Sequence, residues 1–394
     1  MFEKVRAVQV MRRVVVVAVT KNRQRSLLRS ILLFAVMMLQ TLQLYAAVLP
    51  EDRADLLYHS YDGGGVEVEG PTLLVRKNFA EKVSVYGKYH HDSISGASPD
   101  VLAGASPYSE TRDEYSFGGD YLHDNTILGL SYTYSEEDDY EANTLGFNVS
   151  HELFSAMTTV SLGVSYGWDT VMRVDASSFE AELERFQYRL GLSQVITKTI
   201  IANLSYEATV EDGFLSNPYR FVLIGTIPQG LGSEVYPGTR TGQAAAARIS
   251  KYWWFEGSTT LGYRYFRDTW GIKAHTVDLV YSQYLWDRWL ADFYARYYTQ
   301  NAADFYSNNF AVAQNFMARD KELSTFDSYS LGANIRYELF KEYSFLTNGT
   351  VNLSLEYIEN KYDDYSGIEN FAQFTDDGYS FDATVLQFYF SVRY

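Results

Sequence analysis

Cysteine is absent from all 394 residues, so neither a disulfide framework nor a thiolate metal site can form. The same absence removes the C-x-x-C-H motif of covalent haem attachment, and no flavin-attachment site can be argued, so any electron carrier is expected to come from elsewhere. Past the N-terminal region there is no run near the ~18 apolar residues that a membrane-crossing helix needs. That excludes a helical membrane protein but leaves a barrel open, because only every second residue of a barrel strand meets lipid. Basic residues are few. Removing residues 1–47 takes away eight Lys/Arg and one acidic residue, leaving 25 basic against 48 acidic and a net charge of −23. Such a balance argues against nucleic acid or another polyanion as partner. Proline is rare too, at seven residues, and six of these (Pro50, Pro99, Pro107, Pro218, Pro228 and Pro237) lie between stretches of alternating polarity. Pro71, after Gly70, lies within such a stretch and is expected to mark a bulge.

What is abundant is aromatic, 34 Tyr and 24 Phe, and it is set in alternation. From Met157 to Trp168 one face carries Thr158, Val160, Leu162, Val164, Tyr166 and Trp168. The other carries Thr159, Ser161, Gly163, Ser165 and Gly167. A period of two is a strand, and the pattern recurs from about Ala54 to the end. A soluble sandwich would turn the apolar face inward and avoid so much Tyr. A membrane barrel turns it to lipid and lines its lumen with the polar face. Links alternate in length. Short ones fall near Lys77-Glu81, His123-Asn125, Leu153-Ala156, Ile196-Lys198, Tyr252-Phe255, Leu285-Asp287 and Phe340-Phe345. Long ones fall near residues 94–111, 169–181, 212–240, 300–324 and 361–378. Short periplasmic turns and long outer loops identify an all-β, antiparallel up-and-down transmembrane β-barrel. The count is about 16 strands, or 14 if the hairpin around Asp62-Gly65 stands outside the wall. Trp253, Trp254, Trp286 and Trp289 at short links, with Trp168 and Trp270 at strand ends, are expected in the interfacial belts.

The two ends of the chain agree. Lys21, Arg23, Arg25 and Arg29 precede the apolar run Ile31 to Leu44 and then Ala46-Ala47, an export signal with an over-long start. Residues 1–47 are thus expected to be removed, leaving 48–394 as one barrel domain in the outer membrane of a Gram-negative cell. The C-terminal stretch "TVLQFYFSVRY" places Leu386, Phe388, Phe390, Val392 and Tyr394 on one face. An unpaired strand of that kind invites aggregation, and closure against the first strand removes the edge. Phe388, Phe390, Val392 and Tyr394 therefore read as an assembly signal for the barrel-insertion machinery, in contact with outer-membrane lipid and lipopolysaccharide.

The stretches "LLYHSYDGGGVEVEGPTLLVRKNFAEKVSVYGKY", "SPYSETRDEYSFGGDYLHDNT", "YGWDTV" and "FLSNPYR" resemble an uncharacterised family of bacterial outer-membrane barrels, domain of unknown function number 3570. The likeness covers nearly all of the chain past the signal, and the turn Asp62-Gly65 with Gly70-Pro71 is its most specific part. It implies a barrel and carries no catalytic or ligand-binding residue. It also implies a setting near flavin-attachment enzymes, thioredoxin-like proteins and small lipoproteins.

Alternation places Lys88, Asp120, Arg185, Arg189, Glu207, Arg248, Arg264, Asp278, Asp292, Arg296, Arg336, Glu338 and Glu356 on the lumen face, with Asn203 and Asn334. Charges of both signs on neighbouring strands can pair in a wet lumen, or set a transverse field that screens permeating solutes. His90-His91-Asp92 lacks a third ligand at readable spacing and its adjacent residues point to opposite faces, so it reads as a solvated strand end. His59, His123, His151 and His275 are scattered. His275, near the outer end of a strand, is where an outer-membrane hydrolase would hold its base, but spacing gives no Ser-His-Asp order. The acidic residues Glu136 to Glu141, Asp363, Asp364, Glu369, Asp376 and Asp377 read as solvated outer loops. The expected function is a porin-like pore or substrate channel with a polar, mixed-charge lumen, without enzymatic activity, metal or cofactor. The alternative is a platform for a periplasmic or lipoprotein partner in an envelope redox or flavinylation system. Whether the 212–240 loop enters the lumen is open at this level.

Overall fold

The computed structural model describes residues 47–96, 108–225, 230–366, 368–370, 373–374 and 378–394. The segment up to residue 46, read above as part of an export signal, lies outside them, as do Pro99, Pro107, Pro228, Asp376, Asp377 and the side chain of Glu369. The first nine strands are β1 (Arg53–Gly63), β2 (Val66–Phe79), β3 (Val83–Gly96), β4 (Tyr108–His123), β5 (Thr126–Glu136), β6 (Tyr140–Leu153), β7 (Thr158–Met172), β8 (Glu180–Thr197) and β9 (Ile200–Gly213). A loop ladder of β10 (Phe221–Ile224) and β11 (Gly230–Ser233) follows. Then come β12 (Thr239–Tyr252), β13 (Gly257–Asp268), β14 (Lys273–Leu285), β15 (Trp289–Gln300), β16 (Phe326–Tyr343) and β17 (Leu346–Tyr362). A second loop ladder, β18 (Ile368–Asn370) with β19 (Gln373–Phe374), precedes β20 (Ser380–Arg393).

Sixteen of these strands close into one antiparallel barrel in chain order, and β20 pairs with β1 from Arg393↔Arg53 to Ala383↔Gly63. The 14-strand alternative fails because the first hairpin supplies the strand that receives β20. Along the middle of the wall the strands turn large apolar residues away from the lumen, while Val171, Leu183 and Phe381 line its mouth. Ile249, Leu261 and Leu279 are consecutive cross-strand partners, as are Leu353, Phe388 and Tyr58 across the closing seam. These side chains stand exposed, up to 66% at Leu331 and 61% at Phe117. An apolar girdle of this extent is far larger than the patches a water-soluble monomer tolerates. Hydrocarbon is the solvent that suits it.

The two rims differ. At one, tight turns hold Ala80, Glu81, Asp124, Phe154, Ser155, Ala156, Glu256, Trp286 and Ser344 at positive φ. At the other, Gly64 and Gly65 (φ 62° and 77°) make the tight β1–β2 turn, a pair of left-handed residues suited to a two-residue hairpin. Longer loops follow there. Strands outrun the links read from alternation; β7 reaches Met172 and β8 starts at Glu180. Residues 214–225 and 230–238 are knitted to residues 301–325 by reciprocal Val235–Met317 backbone hydrogen bonds (2.9 and 2.8 Å) and by Phe310 N–H to Leu223 O (2.8 Å). Val222, Phe310 and Met317 make one buried cluster; Tyr236, Trp270, Ile272, Ala303, Ala318 and Leu323 make another. The loop rim therefore has a packed core of its own.

Two expectations change here. Trp270 is not in a belt: it is 5% exposed in the loop core, edge-on to Tyr236 and Phe305, with the Arg240 guanidinium 4.4 Å above its ring. Trp254 and Trp286, by contrast, project from short turns at 91% and 82% exposure. Pro71 makes no register slip. Glu69↔Ser93 and Thr72↔His90 keep the same register on either side of it, and only the pairing of Gly70 and Pro71 with β3 is interrupted. The bulges sit elsewhere, at Glu338/Phe340 and Val195/Thr197.

Candidate functional site in the lumen wall and its mouth

Register defines the inner face: it holds the residues that alternate with the exposed girdle. Arg189 and Glu207 are direct partners across β8 and β9, joined at 2.8 Å, and Arg264 reaches the same carboxylate at 3.8 Å. Asp278 and Arg296 are partners across β14 and β15 at 2.7 Å. Arg185 donates to Glu211 at 3.0 Å and lies 3.8 Å from Asp169. Lys88 meets Glu114 at 2.7 Å, and Asp120 meets Arg76 at 2.5 Å. Asp292 accepts from Asn334 (3.0 Å), Arg336 donates to Asn352 (2.8 Å), Glu338 accepts from Asn348 (2.5 Å) and Glu356 accepts from the Tyr294 hydroxyl (3.2 Å). Arg248 faces Gly262 across the β12–β13 ladder. The thirteen residues thus share one face and, Arg248 apart, fall into small local groups rather than one lattice.

Several partners went unnamed in the sequence: Arg76, Glu114, Asp169 and Glu211. Glu114 and Glu211 sit at the parity of Asp120 and Glu207 on their own strands, Arg76 borders the short link read near Lys77-Glu81, and Asp169 falls where the long link 169–181 was read. His59 was also missed. Its Nε2 lies 2.8 Å from Asp92 Oδ1, and its ring stacks on His90 at 5.1 Å. The His90–Asp92 stretch is therefore no solvated strand end; Asp92 is 6% exposed. His91 points the other way, to Asp113 at 2.9 Å. His275 also lies on the outer face, against the Tyr263 hydroxyl at 2.7 Å.

At the loop rim, strand ends and the two long loops enclose a cavity of about 1140 Å³, lined among others by Tyr61, Arg185, Glu211, Arg319, Glu322 and Phe381. One wall is held by Glu234, which accepts from the Tyr236 hydroxyl at 2.5 Å and from the Arg319 N–H at 2.6 Å. Burial pushes its carboxyl up to about 6, against those two hydrogen bonds. Burial, with Asp320 beside it, also raises Glu322. Arg220 ties the loops together through Asp320 at 2.5 Å. Of the acidic run, Glu137 and Asp139 gather with Glu110 into a carboxylate cluster, while Glu136 and Glu141 pair across β5 and β6.

At the seam, Phe388 and Phe390 face outward opposite Tyr58 and Leu56, and Val392 opposite Ala54. Tyr394 continues past β20: its N–H donates to Asp52 O (3.2 Å) and its hydroxyl to Arg76 O (3.1 Å), with Lys77 4.9 Å over its ring. The hydroxyl as well as the ring is used.

A closed barrel with an apolar girdle, a polar lumen and asymmetric rims defines an outer-membrane-type β-barrel. The family model described as "Protein of unknown function (DUF3570)" matches residues 28–392, and the chain belongs to that family. None of the curated proteins matches it. Among solved structures, a bacterial polysaccharide outer membrane secretin is similar at TM-score 0.50 and 9% identity, covering 88% of this chain and 100% of that one. The CymD monoaromatic hydrocarbon channel is similar at 0.43 and 11%, covering 88% and 89%. The siderophore receptor PirA from Pseudomonas aeruginosa is similar at 0.42 and 11%, covering 80% of this chain and 57% of the receptor. At such identities the likeness is one of fold.

Proposed function

We propose that this protein is an exported outer-membrane channel for small polar solutes, entered through the loop-covered mouth. The observation that carries this reading is the inner face of a sixteen-stranded closed barrel, where charges of both signs pair locally and pairs such as Arg189–Glu207 and Arg296–Asp278 stay partly exposed. Barrels of this strand number are wide enough to leave an aqueous path, and the packed loops make the mouth the narrow part. Acidic residues outnumber basic ones, so cations are enriched at the mouth, and the inward arginines moderate this deeper in.

A planar-bilayer recording across a salt gradient tests the reading. Wild type should conduct with weak cation preference, and Arg264→Gln with Arg296→Gln should move the reversal potential further toward cations. An unchanged reversal potential would put both arginines outside the conduction path. Silence in the bilayer, with a periplasmic or lipoprotein partner retained through purification, would replace the channel by a platform in an envelope redox system.

A further inference from the structure

We propose that His59, His90 and Asp92 form a binding site for a divalent first-row transition-metal ion, of the Zn²⁺ or Cu²⁺ kind, on the lumen wall. Three strands build it. His59 on β1 pairs with Gly70 on β2, and the Glu69↔Ser93 and Thr72↔His90 pairs set Gly70 level with Asp92 on β3. A Cβ at position 70 would fall 1.7 Å from the His91 carbonyl oxygen, so this place in β2 takes glycine alone. With no side chain between them, His59 and Asp92 meet across a strand that would otherwise separate them. His90, two residues before Asp92 on the same face, completes the group, its Nε2 3.1 Å from the carboxylate.

The donor set fits such an ion. One atom from each residue lies within 4.8 Å of the others, and the two imidazole-to-carboxylate distances are 2.8 and 3.1 Å. Ligands about 2.0–2.2 Å from a shared ion sit roughly 3 Å apart, so little movement is needed. Two imidazoles and a carboxylate suit zinc or copper better than calcium or magnesium, which prefer oxygen. The outer shell is built as well. The Thr72 hydroxyl lies 2.6 Å from His90 Nδ1, which orients the ring and leaves Nε2 toward the site.

Charge points the same way. Asp92 is buried, and a buried carboxylate needs a compensating charge. Arg112 lies directly across the ladder from it, and Lys88 is close by on its own strand. Both are drawn instead to Glu114, at 3.1 and 2.7 Å. That leaves two imidazoles as the hydrogen-bonding partners of Asp92 among the described residues. A dication held by the three would neutralise the carboxylate, with its open position toward the lumen. The inference does not depend on whether the barrel conducts.

The test uses the full-length exported barrel, purified in detergent and stripped with a chelator. Cu²⁺ alone, followed by electron paramagnetic resonance, should bind with one equivalent and show coupling to two imidazole nitrogens. Zn²⁺ alone should compete for the same site in calorimetry. His59→Gln and His90→Gln should each weaken binding by at least about 100-fold, since losing an outer-shell partner alone costs about 10–100-fold, and Asp92→Asn likewise. His91→Gln, on the outer face, should leave the affinity unchanged. Heat-modifiable migration of each variant in gels shows that it is folded. Failure of the wild type to bind either ion at micromolar concentration would overturn the proposal, whatever the variants do. So would retention of full affinity by the folded His59→Gln, His90→Gln double variant.

Discussion

On the flank built from β2–β4, Arg76 and Asp120 meet at 2.5 Å with side chains 11% and 15% exposed; on the flank built from β14 and β15, Arg296 and Asp278 meet at 2.7 Å with 57% and 18% exposed. Residue types are alike, but Arg76 reaches Asp120 across the intervening β3, whereas Arg296 and Asp278 are direct ladder partners. The size of the neighbours differs as well. Arg76 lies under the Tyr86 ring at 4.6 Å and donates to Ser84, which has no exposed surface. The opposite flank faces small residues: Arg189 lies across from Gly163, Glu207 from Ala244 and Asp278 from Gly262. Bulky neighbours exclude water from one set of pairs, and glycine and alanine admit it to the other. One wall of the lumen is built to hold, the other to be wet.

The comparison can be broken most severely at Gly70. Gly70→Val should leave unassembled, protease-sensitive chain, because the new side chain strikes the β3 backbone; a heat-modifiable band at wild-type level would contradict the packing argument. Next, Asp120→Ala should lower stability by about 3–5 kcal/mol by leaving the Arg76 charge buried and unpaired. Asp278→Ala should cost less than about 1 kcal/mol. Denaturant midpoints in detergent measure both, and equal losses would erase the distinction between the flanks.

The third prediction concerns the loop core. Glu234 titrates near 6 in the folded protein against 4.5 as its ordinary value. Its neutral form is thus the one folding favours. Its contribution to loop packing is full below the ordinary value and is lost as pH rises through about 6. Amide exchange at Val235 and Met317, corrected for intrinsic rate, should therefore be slower at acid pH, and Glu234→Gln should remove the dependence. The smallest effect belongs to Tyr394→Phe. It deletes one hydroxyl hydrogen bond worth about 0.5–1.5 kcal/mol, where the ring alone would have made it silent.

Strand count and closure are legible because alternation is a local signal: Met157 to Trp168 announces β7 without reference to any other strand. The loop core is not legible that way. Trp270 resembles a belt residue by its place at a strand end, and only the return of Tyr236 and Phe305 over it makes it a core residue. The meeting of His59 with Asp92 was hidden for a different reason. It needs the register of three strands and one missing side chain, and neither is periodic.

The chain's last residue does something that its place on the closing strand would not require. Tyr394 passes over β1 and binds the backbone of β2 at Arg76. A slip of one residue at the seam would exchange the two faces of β20 and carry that hydroxyl away from its acceptor. Closure is therefore read twice, once by the ladder to β1 and once by a contact with the strand beyond it. Register at the seam is thus tied to the β1–β2 hairpin as well as to β1 itself.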